Sequence, residues 1–146
     1  MRISARSRYG MRLMINLAAN SENGYSFLKD IAKSEGISEK YLSLIVIPLK
    51  AAGLLKTSRG VHGGYILSRT PSKITAKEVV EVLEGDLSLV ECTRNEKYCV
   101  KIKNCASHDI WSDLSEKMAE FLNSITLEDL AKIQNEKKSK SIDYSI

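Results

Sequence analysis

The stretch from Phe27 to Leu49 constrains the fold more tightly than any other. Leu28, Ile31 and Ala32 share one face of a short helix predicted over residues 27–34. Glu35-Gly36-Ile37 then makes a tight turn, with Gly36 supplying the left-handed backbone that stops a helix. Ser38 caps a second helix, and Ile37 with Leu42 forms a hydrophobic staple across its start. Leu42, Ile45, Val46 and Leu49 recur at i, i+3, i+4 and i+7, so this helix has one buried face. Two short helices joined this way make a helix-turn-helix. Ser38, Glu39, Lys40, Tyr41 and Ser43 crowd the first turns of the second helix, mostly on its outer side, where recognition helices reach base edges. Pro48 removes one backbone hydrogen bond and predicts a kink beyond those turns.

The next segment of the chain reads as a wing. Gly53 ends the helix, Leu54–Arg59 starts a strand, and residues 55–68 form two short strands around a glycine-rich turn. Arg59 near the tip suits a narrow minor groove. Gly60, Gly63 and Gly64 permit tight turning or close approach to DNA, and His62 reads as an exposed turn histidine. Upstream, Tyr9, Leu13 and Leu17, with Met14 and Ala18, predict a first helix over residues 7–20. Arg2, Arg6, Arg8 and Arg12 crowd its start, where a helix prefers acids. Either phosphates lie nearby or this is a solvated basic face. Residues 1–73 carry 12 Lys/Arg against 4 Asp/Glu, and residues 74–146 carry 10 against 14. A basic first half suits a polyanion; the acidic second half does not.

The second half reads as helical. Thr75 and Glu78 form a capping box for a helix ending near Glu84, with Val79, Val82 and Leu83 turned inward. After Gly85-Asp86, a long helix is expected from about Asp109. Trp111, Leu114, Met118, Phe121 and Ile125 advance by 3, 4, 3 and 4, a heptad seam that predicts pairing with a second copy in a homodimer. Thr126 and Asp129 cap a last helix to about Lys138, and residues 139–146 are expected to be disordered. The expected class is mainly α: a winged helix-turn-helix with a two-stranded β wing (1–85), a ligand loop (86–108) and C-terminal dimerisation helices (109–138).

Between the two halves lies Cys-x6-Cys-x5-Cys-x2-His, formed by Cys92, Cys99, Cys105 and His108, which holds every cysteine of the chain. The start is polar, with no apolar secretory segment, and no apolar run is long enough for a bilayer. A cytoplasmic, membrane-free location with reduced thiols is therefore expected, and an odd cysteine count also argues against a disulfide framework. Three thiolates and an imidazole suit zinc or an iron–sulfur cluster; a metal-free thiol loop is the third reading. Gaps of six and five residues, rich in Lys and Asn, are wider than the knuckles of structural zinc and suit a labile, accessible cofactor. No Gly-rich phosphate loop or Ser/His/Asp set is present, so an enzyme is not expected, and an electron carrier would have no use for a basic reading head.

Taken together, these pieces resemble the winged-helix bacterial regulators of the IscR/NsrR group, most nearly on the side of the iron–sulfur cluster regulator. The matching residues are Arg8-Tyr9, Ile37-Ser38-x-x-Tyr41-Leu42, Gly53-Leu54 and Arg59-Gly60-x-x-Gly63-Gly64-Tyr65-x-Leu67. They continue with the three cysteines, Cys105-x-x-His108-x-x-Trp111-x-Asp113-Leu114-Ser115 and Phe121-Leu122-Asn123-x-Ile125-Thr126-Leu127. The resemblance spans about residues 1–135. It implies a homodimeric regulator or repressor on a pseudo-palindromic operator that controls iron–sulfur assembly genes. Arg2, Arg8, Ser38, Lys40, Tyr41, Ser43 and Arg59 would then meet DNA. A 2Fe–2S cluster would be held by Cys92, Cys99, Cys105 and His108. The nitric-oxide branch of the group implies a 4Fe–4S cluster completed by an acid on helix one, where this chain offers Arg6, Arg8 and Arg12. Ser43 stands where the iron–sulfur regulators often carry an acid, so a different promoter preference is expected.

Overall fold

The computed structural model describes residues 1–60 and 64–143. His62, Gly63 and the tail residues 144–146 lie outside the described residues. Among the described residues the chain forms seven α-helices and one two-stranded antiparallel sheet: α1 (Ala5–Ala19), α2 (Leu28–Glu35), α3 (Glu39–Ala51), β1 (Leu55–Ser58), β2 (Gly64–Leu67), α4 (Ala76–Glu84), α5 (Glu91–Arg94), α6 (Ala106–Asn123) and α7 (Leu127–Asp143).

Helix α1 is the hub and touches α2, α3, α4, α7 and β2. Its buried face, Leu13, Met14, Leu17 and Ala18, meets Ile31 of α2, Leu42, Ile45 and Leu49 of α3, and Val79 and Leu83 of α4 in one core. Gly10 keeps these helices close: a Cβ there would drive into Leu83 and press on Ile45. No acid lies in the first turn of α1, yet one arrives from elsewhere. Glu84, at the end of α4, accepts from the Ser4 amide at 2.6 Å, beside the Ser4 hydroxyl that caps the helix. Its carboxyl is held below the usual range, first by the Ser7 hydroxyl, then by Ser4, with the Arg6 charge contributing.

The helix-turn-helix forms as its sequence dictates. Gly36 closes α2 with φ +63°, and Ser38 accepts from the Tyr41 amide to start α3. Helix α3 runs without a break through Pro48. Strands β1 and β2 pair from Leu55↔Leu67 to Ser58↔Gly64. A third segment joins them unannounced by the sequence: Ser26 exchanges two backbone bonds with Tyr65, at 2.9 and 2.8 Å. Gly64, at φ +136°, is required for this approach, because a Cβ would sit 2.5 Å from the Ser26 carbonyl oxygen. The glycine thus serves the fold of the wing.

The C-terminal half departs from expectation in three ways. Helix α6 starts at Ala106, so His108 lies in its first turn rather than in an open loop. Helix α7 packs into the winged-helix core: Leu127 is fully buried, Ala131 joins the same core, and the helix lies along α1. Its entry is fixed by Leu127 donating to Ile74 (2.9 Å) and Ala76 donating to Ile125 (2.8 Å). Finally, the expected disordered tail is helical as far as Asp143. No Gly or Pro interrupts it, Ser139 and Ser141 bond back to the carbonyls four residues earlier, and Lys140 suits the helix C-terminus.

Candidate nucleic-acid interface and ligand loop

Ser38, Lys40 and Ser43 stand exposed on α3. Both serines also serve the helix: Ser38 as its cap, Ser43 by donating to the Lys40 carbonyl at 2.6 Å. Each keeps capacity for one further partner. Tyr41 is half-buried, edge-on to Tyr9 at 5.7 Å, so its ring braces α3 against α1. Arg59 is exposed at the end of the wing's first strand. Arg2 and Arg8 are also exposed, and Arg8 lies over the Tyr9 ring. Arg12 differs from its neighbours. It pairs with the Glu35 carboxylate at 3.2 Å and donates to the Glu35 carbonyl, tying α1 to the end of α2. It is structural.

The ligand loop is built from short turns. Cys92 lies on α5, Cys99 between turns, Cys105 at the cap of α6, and His108 one helical turn later on the same side. All three thiols are free and half-buried. The His108 Nδ1 is buried with no hydrogen-bond partner, a state that costs about 1–3 kcal/mol unless something satisfies it. Cys99 and His108 line one cavity of about 410 Å³ with Glu96, Val100, Ile102 and Lys103; Cys92 and Cys105 do not reach it. Among the described residues, no three His, Cys, Asp or Glu side chains converge on a common metal position. The donor chemistry therefore fits a soft metal centre, while the loop stands in a conformation that has not gathered the four donors.

The loop's outer ties are exposed ion pairs. Arg94 bridges Asp86 and Glu91, and Asp86 also accepts from the Ser88 amide; the Ser88 side chain first, then that amide and Arg94, hold its carboxyl below the usual range. Leu89 donates to the Ser115 hydroxyl of α6 at 3.3 Å. Helix α6 buries no residue fully. Met118 and Leu122 lean into a cavity of about 590 Å³ shared with Met11 of α1 and Val80 of α4. The expected seam is thus divided: Met118 turns toward its own chain, Leu114 and Ile125 are half-buried, while Trp111 and Phe121 stand open at 39% and 65% exposure. Ile110, which the heptad omitted, is 60% exposed beside them. Among the described residues, no helix is long and apolar enough to cross a membrane.

Comparison with known proteins agrees with this architecture. A family model described as an iron-dependent transcriptional regulator, Rrf2, matches residues 3–133. The chain is 42% identical over 131 residues to the transcriptional regulator CymR of Bacillus subtilis, covering 90% of each. The solved structure of that global cysteine regulator superposes with a TM-score of 0.79 at 40% identity, covering 91% of this chain and 98% of the other. The IscR structure from T. potens gives 0.76 at 34% identity, covering 94% and 90%. These relatives are DNA-binding regulators, not enzymes. The chain belongs to the Rrf2 family of transcriptional regulators.

Proposed function

We infer that this regulator acts as a homodimer that senses iron–sulfur status through a 2Fe–2S cluster held by Cys92, Cys99, Cys105 and His108, and controls genes for assembling such clusters. The observation that carries this reading is the His108 Nδ1, buried and unpaired beside a cavity that Cys99 also lines. When bound, the cluster would supply four ligand bonds that cross-link the loop, with the histidine raising the potential above that of an all-thiolate centre. Cys105 and His108 would bring that order directly to the first turn of α6. Trp111, Leu114, Phe121 and Ile125, with part of Met118, supply the surface by which two copies pair, setting the spacing of two α3 helices on a pseudo-palindromic operator. Ser38, Lys40 and Ser43 then meet the major groove, Arg59 the minor groove, and Arg2 and Arg8 the phosphates.

A second reading is favoured by the 42% identity to CymR, a global cysteine regulator: that this chain responds to cysteine and its loop thiols work without iron. One experiment separates the two. Protein purified anaerobically is expected to be red-brown with two irons and two sulfides per monomer; four irons would indicate the 4Fe–4S alternative. Cys92→Ala, Cys99→Ala, Cys105→Ala and His108→Ala should each abolish or alter the visible spectrum. Wild-type protein that stays colourless after reconstitution with iron and sulfide would refute the cluster and favour the thiol reading.

A further inference from the structure

On α3 the outward stripe is not only polar. Lys40, Ser43, Leu44 and Ile47 follow at helical spacing on the side opposite the buried face of Leu42, Ile45, Val46 and Leu49. Leu44 is 58% exposed and Ile47 61%. Leaving two large aliphatic side chains in water on one stripe calls for an occupant. They border a notch of about 450 Å³, lined by Arg6, Tyr41, Leu44, Ile45, Ile47 and Pro48. No carboxylate lines it, Arg6 stands at its edge, and Lys40 and Lys50 flank the stripe on the same helix. This apolar patch is continuous with the polar reading surface, and three cations, Arg6, Lys40 and Lys50, border it against one carboxylate, Glu39, a balance that complements DNA rather than an acid-rimmed or neutral protein surface.

We propose that Leu44, with Ile47 beside it, reads thymine by packing against its C5-methyl group in the major groove. Thymine carries the methyl group among the base edges exposed there, and aliphatic contact is how a side chain without donors or acceptors distinguishes it. Lys40 and Ser43 fix register from the same stripe, and Arg6 meets the backbone of the strand being read. The inference rests on α3 being the duplex-reading helix and assigns that helix a base preference of its own.

The test uses the full-length protein and an operator selected from a pool of random duplexes. Each thymine of the half-site is then replaced by deoxyuridine, which removes only the methyl. Wild-type affinity should fall about fourfold at one or two positions per half-site, and about fifteenfold when both half-sites are changed together. Leu44→Ala should lose most of the difference between thymine and uracil duplexes while keeping its thermal midpoint. Leu44→Gln should shift the preferred base at that position toward adenine, which a glutamine bonds at two points. Equal affinity for thymine and uracil at every position would overturn the proposal, as would a Leu44→Ala protein that keeps the full discrimination. Failure to select any operator would instead remove the duplex-reading role of α3 itself, and the inference with it.

Discussion

Replacing Leu127 with alanine tests whether α7 is part of the winged-helix core. Leu127 is completely buried and sits at the first turn of its helix. The backbone around it is pinned on both sides, by its own bond to Ile74 and by the Ala76–Ile125 bond, so the site has little freedom to collapse onto a cavity. Large-to-small changes at such sites cost roughly 2–5 kcal/mol, and a pinned site belongs near the middle or above, about 3 kcal/mol. Unfolding entropy of about 2.1 cal/mol/K per residue over 146 residues converts this to a fall in Tm of about 10 °C. The assay is calorimetry at two protein concentrations tenfold apart, which separates loss of core packing from a weakened dimer. Ile133→Ala on the same helix, where the side chain is 47% exposed, should change stability by no more than about 0.5 kcal/mol. If Leu127→Ala lowered Tm by less than about 3 °C, or produced a separate early transition with the main one unmoved, α7 would be an appendage and its placement in the core would be wrong.

Gly64→Ala should disorder the wing, because φ of +136° and the Ser26 carbonyl both oppose a side chain. A cost of about 1–3 kcal/mol and weaker operator binding in a gel shift are expected, against an unchanged affinity if the turn tolerates the residue. Glu78 is depressed below 4.5: desolvation raises its pKa, but bonds from Arg69 and from Thr75 outweigh it. A depressed carboxylate contributes stability above its unfolded pKa and loses it as pH falls. Denaturant midpoints should therefore drop below about pH 4.5, and Glu78→Gln should flatten that drop; identical acid slopes in both proteins would contradict the assignment. Phe121→Asp should give monomers in sedimentation, because its ring is largely open in the single chain and its loss removes only the shared surface.

The parts of this chain that could be read in advance are those decided within a few residues. Gly36, Ser38 and the Thr75–Glu78 box act through backbone groups no more than four residues away, and the structure contains each as expected. The Thr126–Asp129 box is likewise present, in both directions. What escaped notice depends on residues far apart in the chain. The Ser26–Tyr65 bridge is too short to leave an alternating pattern, and the Glu84 cap of α1 spans eighty residues. Leu127, Leu130 and Ala131 do carry a helical stripe that could have placed α7 on the core, but the stripe does not say which neighbour covers it. Tyr41 shows the converse: its position at the start of α3 suggests an outward role, while its aromatic ring finds Tyr9.

The segment between α4 and α6 is where this fold holds itself least firmly, and that bears on its use as a sensor. Neither α5 nor α6 contains a fully buried residue, whereas α4 and α7 do. Its ion pairs, Arg94 with Asp86 and Glu91, are about half exposed and screened by water, and a single bond from Leu89 to the Ser115 hydroxyl joins it to the middle of α6. Rearranging the loop to gather Cys92, Cys99, Cys105 and His108 would therefore sacrifice little that stabilises the domain. It would satisfy the one buried imidazole nitrogen that lacks a partner among the described residues. Hydrogen exchange on the metal-free, reduced protein makes this quantitative, because local opening energies track buried contacts. Amides across residues 86–105 should exchange at least about a hundredfold faster than those of α4 and the first turns of α7. Equal protection in the loop and in α4 would mean the loop is already fixed, and a signal there would have to reach α6 by some other route.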